Sequence, residues 1–511
     1  MIRAIRNLHR MVTIARVLAR HDVLTIVDWP LAGVVSRLVR LGRPPASRGR
    51  PGQRLAEALK ELGPTFIKLG QALSTRADLV GEQMAADLSH LQDRLAPFPS
   101  AAARRIVEEQ LGRPLAEIFS SFDEVAVAAA SIAQVHFAIT AEGREVAVKV
   151  LRPGVEAAFR RDIDLLAWLA EWAERARPRL RRLRLIDTVA TFAESVALEM
   201  DLRFEAAAAA EMGENFAGDE TFRVPAVDWL RTAKRVLTLE RVSGVPVDER
   251  DRLAASGHDV EAILLKAAEA FFNMVFRDGF FHADMHPGNL FVDANGNLVA
   301  VDFGIVGRVD MRTRRFLGAM LIGFLNGDYR RVAEVHFEAG YVPADKSIDA
   351  FTQACRSIAG PILGRPLHEI SVARLLGQLF EVTETFAMET QPQLLLLQKS
   401  MLVAEGIGRN LDPAINMWQL ARPLIETWMR RNLGPQARVR DMAVDALSSL
   451  ERLPRLLSEI EKTAAILAEG GIKLHPDTVR DLTADAPRQR RTPDWLPWVV
   501  ALALAVALAV K

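Results

Sequence analysis

The segment from His282 to Gly304 constrains this chain more than any other stretch of its sequence. It places Asp284 and Asn289 five residues apart, and Asp302 follows after thirteen more. Phosphoryl transfer from ATP needs a carboxylate beside the attacking hydroxyl and metal ligands that hold the phosphates, and this spacing supplies both. Asp and Asn often cap turns instead, but that explanation would have to apply three times at the right offsets. We therefore predict that Asp284 positions or deprotonates the acceptor, while Asn289 and Asp302 hold Mg²⁺.

A lysine upstream of this segment is placed to bind the nucleotide. Lys149 lies in Val-Ala-Val-Lys-Val, whose alternation predicts a strand, and a strand lysine can reach the α- and β-phosphates. Its expected partner is a helix glutamate, for which Glu199 and Glu205 are the candidates. At about 100° per residue, Asp201 and Glu205 share one helix face, whereas Glu199 lies apart and pairs with Arg203. We predict one helix that serves two sites, with solvated surface acids as the alternative.

Alanines stand where a glycine-rich phosphate loop is expected, ahead of the predicted strand. The run is Ala128, Ala129, Ala130 and Ser131. Alanine resists the positive φ angles with which glycine backbone closes over phosphates, so the grip of this loop on ATP is expected to be unusual. We also assign nucleotide contacts to Glu240 and Val242, which end a predicted strand over 235–242.

The order of the elements predicts an α+β chain. Helical spacing dominates residues 53–120, strand patterns flank a helical stretch over 155–216, and residues beyond 259 are nearly all helical. The exception there is a pair of short apolar runs around Asn295-Gly296, which is a hairpin signal. We predict a bilobal protein-kinase-like fold with an N-terminal helical extension and a C-terminal hydrophobic membrane segment. The predicted parts are the extension (1–115), an N-lobe with inserted helices (116–242), a helical C-lobe (243–430), a C-terminal helical region (431–487) and the membrane segment (495–510).

The C-terminal run predicts insertion into a membrane. Residues 495–510 are sixteen uncharged residues, with Trp495 and Trp498 at one end. At about 1.5 Å per residue the run spans roughly 24 Å, near the lower limit for crossing a bilayer. Arginines on its N-terminal side predict that this side is cytoplasmic. A buried hairpin helix is the alternative.

The charge distribution also favours a membrane as neighbour. A net charge of +1 argues against a nucleic-acid-binding protein. Residues 1–60, however, hold twelve Lys or Arg against three acids, which favours anionic lipid headgroups as a partner. The single cysteine, Cys355, excludes an intramolecular disulfide and a cysteine zinc cluster, and it fits a reducing cytoplasm. We predict a place on the cytoplasmic face of a bacterial-type inner membrane, with a C-terminal anchor.

Together these motifs resemble the UbiB/AarF family of atypical protein-kinase-like proteins, over about residues 50–430. The chain carries the family's KxGQ motif from Lys68 to Gln71, its ExD motif from Glu199 to Asp201, and its alanine-rich loop. The resemblance implies ATP and Mg²⁺ as cofactors and support of ubiquinone (coenzyme Q) biosynthesis. It also implies that Lys68 and Gln71 fold across the active site where a protein substrate would dock. Implied partners are membrane lipids and prenylated quinone precursors or quinone-biosynthesis enzymes, with a homodimer as a further option.

Three functions remain open on the sequence. The leading one is a membrane-associated kinase or ATPase that supports ubiquinone biosynthesis. Ala283 stands where regulated protein kinases carry arginine, and no Ala-Pro-Glu follows Asp302, so ordinary protein phosphorylation is disfavoured. The second is a small-molecule phosphotransferase of the aminoglycoside- or choline-kinase type, which needs an open acceptor cleft. The third is a non-catalytic lipid-binding scaffold that is switched by nucleotide. A hydroxylase does not fit, because the sequence shows no dinucleotide fingerprint, haem ligand pair or His/carboxylate iron triad.

Overall fold

The computed structural model describes most of the first 412 residues. The described residues are 2–23, 49–74, 80–89, 91, 95–176, 184–360, 378, 381–383, 385–388, 391–412 and 423–430. The predicted C-terminal helical region (431–487) and membrane segment (495–510) lie outside them. No helix of the described residues is both long and apolar enough to span a bilayer.

The N-terminal part of the described chain is helical. Its helices are α1 (Ile2–Arg20), α2 (Pro51–Leu62), α3 (Pro64–Ser74), α4 (Glu82–Ser89), α5 (Ser100–Leu111) and the single turn α6 (Leu115–Ile118). Apolar residues at helical spacing bury one face of α2 and α3 around Leu59, Phe66 and Ile67. Gly70 lets α3 lie close to α2, because a Cβ there would stand 2.7 Å from Leu59 Cδ1. This packing fixes the helix that carries the KxGQ motif.

A five-stranded antiparallel sheet follows these helices. Its strands are β1 (Phe119–Phe122), β2 (Ala128–Ala129), β3 (Ala133–Thr140), β4 (Glu145–Leu151) and β6 (Val236–Glu240), in the order β1-β3-β4-β6 with β2 paired to β3. Along β4, Val146, Val148 and Val150 are buried in one cluster with α5, so the alternation turns Lys149 to the opposite face. The strand predicted around Lys149 is thus confirmed. Residues 119–122 are a strand, however, and not the end of the helical stretch predicted up to residue 120.

Three helices separate β4 from β6. They are α7 (Val155–Ala176), α8 (Leu185–Glu199) and α9 (Leu202–Asn215). The helix is interrupted between α8 and α9. There Asp201 has extended backbone and caps α9 by accepting a hydrogen bond from the Arg203 N–H. The prediction of one helix that carries Glu199, Asp201 and Glu205 on its turns is therefore wrong. The end of α8 and the start of α9 serve different parts of the site instead.

A second sheet contains the predicted hairpin. Its strands are β5 (Phe222–Arg223), β7 (Val245–Pro246), β9 (Leu290–Val292) and β10 (Leu298–Ala300), in the order β5-β10-β9-β7. The hairpin is confirmed, since Leu298 pairs with Val292 across the Asn295-Gly296 turn. A separate strand pair, β8 (Phe280–His282) with β11 (Val306–Arg308), brackets this segment. The sequence pattern of residues 222–230 also predicts a strand. This prediction is wrong beyond residue 223, because Trp229–Arg231 is a 3-10 turn.

Helices pack around these strands. They are α10 (Arg250–Ala255), α11 (Val260–Phe272), α12 (Met311–Leu325), α13 (Tyr329–Glu338), α14 (Ile348–Ala359) and α15 (Pro392–Leu411), with a π-helical turn (Asn273–Asp278) after α11. One apolar cluster joins α11, β8, β9 and α15 through Phe271, Phe281, Leu290 and Leu397. This shared core holds the segment between β8 and β11, which carries the residues predicted to act on phosphate.

Candidate active site

Three charged side chains meet where β4 faces the hairpin. Lys149 Nζ donates hydrogen bonds to Glu205 Oε1 (2.7 Å) and Oε2 (2.9 Å), and to Asp302 Oδ2 (3.0 Å). β4 supplies the lysine, the first turn of α9 the glutamate, and the segment between β10 and β11 the aspartate. Of the two candidate glutamates, Glu205 is thus the one that pairs with Lys149. The predicted nucleotide-binding lysine and a predicted metal ligand lie within hydrogen-bond distance of each other.

Two carboxylates share the single positive charge of Lys149. Burial alone would lower the pKa of Lys149, but Asp302 and Glu205 outweigh it and raise that pKa. Burial raises the pKa of Asp302, yet Lys149 and the Gly304 N–H outweigh that effect and hold the pKa well below its ordinary value. Burial raises the pKa of Glu205 to about 7, because Lys149 offsets it only in part and Asp302 adds to it. Asp302 therefore stays ionised and available to a cation.

His282 links Asp284, the predicted catalytic aspartate, to Asp302, the predicted metal ligand. It is fully buried at the end of β8, and its Nδ1 accepts a hydrogen bond from the Asp284 N–H at 3.1 Å. Its Nε2–H donates to the Asp302 carbonyl, and its ring lies edge-on to Phe303 with centroids 5.4 Å apart. Burial lowers the pKa of His282, so the imidazole is neutral and can donate at one nitrogen while accepting at the other. This one ring sets the backbone of Asp284 against the backbone of Asp302.

The turn between β8 and β9 presents Asp284 and Asn289. Asn289 Nδ2 donates to the Asp284 carbonyl at 3.2 Å, which leaves Asn289 Oδ1 available as a metal ligand. Asn289 and Asp302 together offer oxygen atoms of the hard type that Mg²⁺ prefers. Among the described residues, no group of three or more His, Cys, Asp or Glu is arranged to hold a metal ion. Two protein ligands still fit Mg²⁺, because this ion commonly keeps waters and substrate phosphate oxygens around it.

A lysine that the sequence did not single out contacts the turn between β8 and β9, which we call the catalytic turn because it carries Asp284. Lys399 on α15 donates from Nζ to Asp284 Oδ1 at 2.9 Å. The two side chains are 38% and 36% exposed, so the pair is partly open to solvent. In the sequence a lysine within a helix reads as an ordinary surface residue. Only the packing of α15 against the catalytic turn brings it to the site.

The KxGQ helix is joined to the end of α8 by a second ion pair. Lys68 Nζ lies 2.9 Å from Glu199 Oε2, and the side chains are only 13% and 16% exposed. The prediction that Glu199 pairs with Arg203 is wrong, because Arg203 donates hydrogen bonds of 2.9 and 2.7 Å to the Asp201 carboxylate. These bonds lower the pKa of Asp201, which acts as a helix cap. Gln71 lies one turn after Lys68 and is half-buried.

The alanine-rich loop adopts a conformation that alanine tolerates. Ala128 and Ala129 form β2, and none of the four loop residues has a positive φ. The glycine conformations that close a typical phosphate loop are therefore not used here. Arg152 donates from Nε to the Ala130 carbonyl at 2.9 Å and holds the turn to the end of β4, while the fully buried Ser131 hydroxyl lacks a hydrogen-bond partner within the described chain. The loop is therefore a turn that one side-chain hydrogen bond joins to the end of β4.

The two predicted nucleotide contacts at the end of β6 differ in kind. The Glu240 carboxylate pairs with the Arg223 guanidinium and accepts a hydrogen bond from the Ala226 N–H at 3.3 Å. Val242 follows the strand and is half-buried, and in the described part of the chain no hydrogen bond reaches its main-chain N–H or C=O. A main-chain donor and acceptor suit the edge of an adenine base. Val242 therefore fits a nucleotide contact, whereas the Glu240 side chain has other partners.

Two family models match the chain. Residues 90–336 match the ABC1 atypical kinase-like domain, and residues 355–416 match the UbiB helical domain. The first range contains the cluster at Lys149 and the turn of Asp284, and the second contains Lys399.

Curated relatives resemble most of the chain. A Marinobacter nauticus protein named probable protein kinase UbiB is 42% identical over 409 residues, which are 79% of this chain and 75% of that protein. Proteins of the same name from Azotobacter vinelandii and Pseudomonas entomophila are 43% and 42% identical, over 80% and 88% of this chain and 76% and 84% of theirs.

A solved structure from Mycobacterium tuberculosis is also similar. It is the complex of Rv3197 with erythromycin, and it matches with a TM-score of 0.51 at 28% identity, over 72% of this chain and 93% of that one. The family models and the curated relatives agree in one assignment. The chain belongs to the UbiB family, whose members contain the ABC1 atypical kinase-like domain.

Proposed function

We propose that this protein is an atypical kinase or ATPase that binds Mg-ATP at Lys149, Asn289 and Asp302. The observation that carries the proposal is the contact of Lys149 with both Glu205 (2.7 Å) and Asp302 (3.0 Å). In protein-kinase-like sites the lysine–glutamate pair and the metal-binding aspartate must both be in place for phosphoryl transfer. Here the three side chains already meet.

Each side chain has a separate task in this proposal. Lys149 binds the α- and β-phosphates, and Glu205 holds the lysine in position. Asn289 and Asp302 hold Mg²⁺, which when bound supplies positive charge beside the phosphates. Asp284 orients the attacking hydroxyl or water and accepts its proton.

The position of the KxGQ helix favours a small acceptor. Lys68 and Glu199 form a pair that is 13% and 16% exposed, and it ties α3 to the end of α8. The family resemblance implies that this helix lies where a protein substrate would dock. A peptide substrate would therefore have to displace the helix. Ala283 also removes the arginine with which a phosphorylated activation loop would pair. Both features support water or a small molecule as the acceptor.

The proposed biological role is support of ubiquinone biosynthesis at a membrane. The curated relatives carry the name UbiB. The basic residues 1–60 and the uncharged residues 495–510 support a place at the cytoplasmic face of a bacterial-type inner membrane. This role implies anionic lipids as partners, together with prenylated quinone precursors or the enzymes that act on them.

ATP hydrolysis by the purified full chain tests the enzymatic part. We expect turnover that requires Mg²⁺ and rises with liposomes that contain cardiolipin. Asp302→Asn should abolish it, because the carboxylate that holds the metal is lost. Asp251→Asn, which changes an exposed carboxylate on α10, is the matched control and should keep the wild-type rate. Equal turnover in wild type and Asp302→Asn would overturn the proposal.

Deletion of the gene tests the biological part. We expect ubiquinone to fall and prenylated intermediates to accumulate, as measured by mass spectrometry of extracted lipids. Wild-type protein should restore ubiquinone and Asp302→Asn should not. A deletion strain with normal ubiquinone would contradict the role.

A small-molecule phosphotransferase is the second candidate. The Asp284 side chain is 36% exposed, which leaves room for an acceptor beside it. The M. tuberculosis relative was solved in complex with a small molecule, erythromycin. A phosphorylated product that requires Asp284 in a metabolite screen would favour this candidate, whereas ADP release without such a product favours the ATPase.

A further inference from the structure

Helix α15 packs against the catalytic turn through a buried residue next to Lys399. Ser400 is fully buried, and its Oγ donates to the Leu396 carbonyl at 3.0 Å and lies 3.5 Å from the His282 carbonyl. Leu397 belongs to the same apolar cluster as Phe281 of β8. These contacts fix the register of α15 on the turn. The position of Lys399 relative to Asp284 is consequently set by these buried contacts of α15.

The ion pair between Lys399 and Asp284 has little value for stability alone. The side chains are 38% and 36% exposed, and solvent screens a pair of this kind. The contact joins residues 115 positions apart, from two different matched domains. Its geometry is better explained by what it does to the Asp284 carboxylate.

No other basic side chain of the described catalytic turn contacts the Asp284 carboxylate. The residue after His282 is Ala283, and His286 uses its Nδ1 to accept a hydrogen bond from the Gly288 N–H at 3.1 Å. Lys149 lies 3.0 Å from Asp302, at the proposed metal end of the site. Within the described residues, Lys399 is the cation in contact with Asp284.

We propose that Lys399 is a positioning residue for Asp284, and this inference rests on the proposed function. Its hydrogen bond to Oδ1 fixes the rotation of the carboxylate and leaves Oδ2, which has no hydrogen-bond partner among the described residues, for the acceptor hydroxyl or water. The UbiB helical domain thereby contributes directly to the acceptor end of the site. Removing Lys399 should slow turnover without weakening nucleotide binding.

Kinetics and nucleotide binding of Lys399 variants test this role in the full chain with liposomes. We expect Lys399→Met to lower kcat by about 30- to 100-fold, with KM for ATP and the calorimetric affinity for Mg-ADP within about threefold of wild type. Lys399→Arg, which keeps the charge and a donor, should regain a large part of kcat. Lys266→Met is the matched control, since Lys266 is a helix lysine with one side-chain hydrogen bond, 2.7 Å to Asn297 Oδ1, outside the catalytic turn.

A double-mutant cycle separates positioning from a merely structural role. Because Lys399 acts through Asp284, adding Lys399→Met to Asp284→Asn should cost less than about threefold more in kcat. If the double variant loses kcat by the product of the two single-variant losses, the proposal is overturned. A Lys399→Met enzyme with wild-type kcat would also overturn it. If Lys399→Met unfolds at a lower temperature than wild type, Lys399→Gln, whose polar side chain is uncharged and one atom shorter than lysine, gives the same comparison. Absence of both Mg-ADP binding and turnover in wild type would instead remove the proposed function and this inference with it.

Discussion

Glu205 and Asp302 share one positively charged neighbour. One ammonium group, Lys149 Nζ, lies 2.7 Å from Glu205 and 3.0 Å from Asp302. The Gly304 N–H adds a hydrogen bond to Asp302 at 3.0 Å, so Asp302 is the better-stabilised anion. Without a bound cation the surplus negative charge is relieved at Glu205, whose pKa burial raises to about 7.

The raised pKa of Glu205 predicts a dependence of stability on pH. The folded-state pKa of about 7 lies above the ordinary 4.5, so the folded protein binds this proton more tightly than the unfolded chain. The contribution to stability is therefore full below pH 4.5 and is lost as the pH rises towards 7. Between pH 5 and pH 7 without Mg²⁺, we expect the free energy of unfolding to fall by on the order of 2 kcal/mol more in wild type than in Glu205→Gln.

Urea denaturation at a series of pH values measures this difference. Glu269→Gln, which changes an exposed glutamate of α11, is the control and should follow the wild-type curve. Parallel pH curves for wild type and Glu205→Gln would show that folding does not tighten the binding of a proton by Glu205.

At the residue scale, motif spacing predicted much of the site. Lys149, Asp284 and Asp302 were predicted from residue type and offset alone, and the structure links them through direct hydrogen bonds or through His282. The choice between Glu199 and Glu205 was left open, because it depends on an interruption between two helices. The alanine-rich sequence there is helical in pattern and does not indicate the interruption. Lys399 carries no local signal.

At the scale of elements, α3 is held by apolar packing and by one charged contact to α8. Lys68 and Glu199 form that contact at 2.9 Å with little exposure. Reversing one charge places two like charges in a confined space, whereas reversing both restores an attractive pair.

Charge reversal should therefore loosen α3 selectively. We expect Lys68→Glu or Glu199→Lys alone to raise amide hydrogen exchange across residues 64–74 by about tenfold or more, measured by mass spectrometry. The double variant Lys68→Glu/Glu199→Lys should return exchange to within about threefold of wild type. Unchanged exchange in both single variants would mean that apolar packing alone holds the helix.

The elements that the sequence predicted correctly are those with a strong local pattern. β4 shows alternation over seven residues, and the β9–β10 hairpin has an Asn-Gly turn. β1, β8 and β11 are only four, three and three residues long, too short for any period to emerge. β8 is also buried along its whole length, so no polar face marks it.

On the scale of the whole molecule, the site is assembled from distant parts of the chain. Lys149 and Asp302 are 153 residues apart, and Lys399 and Asp284 are 115 apart. No local pattern predicts such pairs, because they follow from how the helices and sheets share one core. The family resemblance supplied the expectation that the N-terminal helices contribute, and the Lys68–Glu199 pair gives that expectation a specific contact.

The C-terminal membrane anchor is predicted from residues that lie outside the described part. Removing residues 495–511 should reduce co-flotation with phosphatidylcholine–cardiolipin liposomes by about tenfold or more, because the long uncharged run is lost. Residual binding should weaken with salt, since residues 1–60 carry twelve basic residues. Mg-ADP affinity should not change. Undiminished flotation of the truncated chain would contradict the anchor.

The central claim is that Mg-ATP binds at Lys149 and Asp302. Calorimetric titration of the full chain with ATP, with and without Mg²⁺, tests it most directly. We predict that wild type binds ATP at least about tenfold more tightly with Mg²⁺ than without, and that Asp302→Asn loses this difference. The same affinity for ATP in all four titrations, or no binding by wild type with Mg²⁺ present, would contradict the claim.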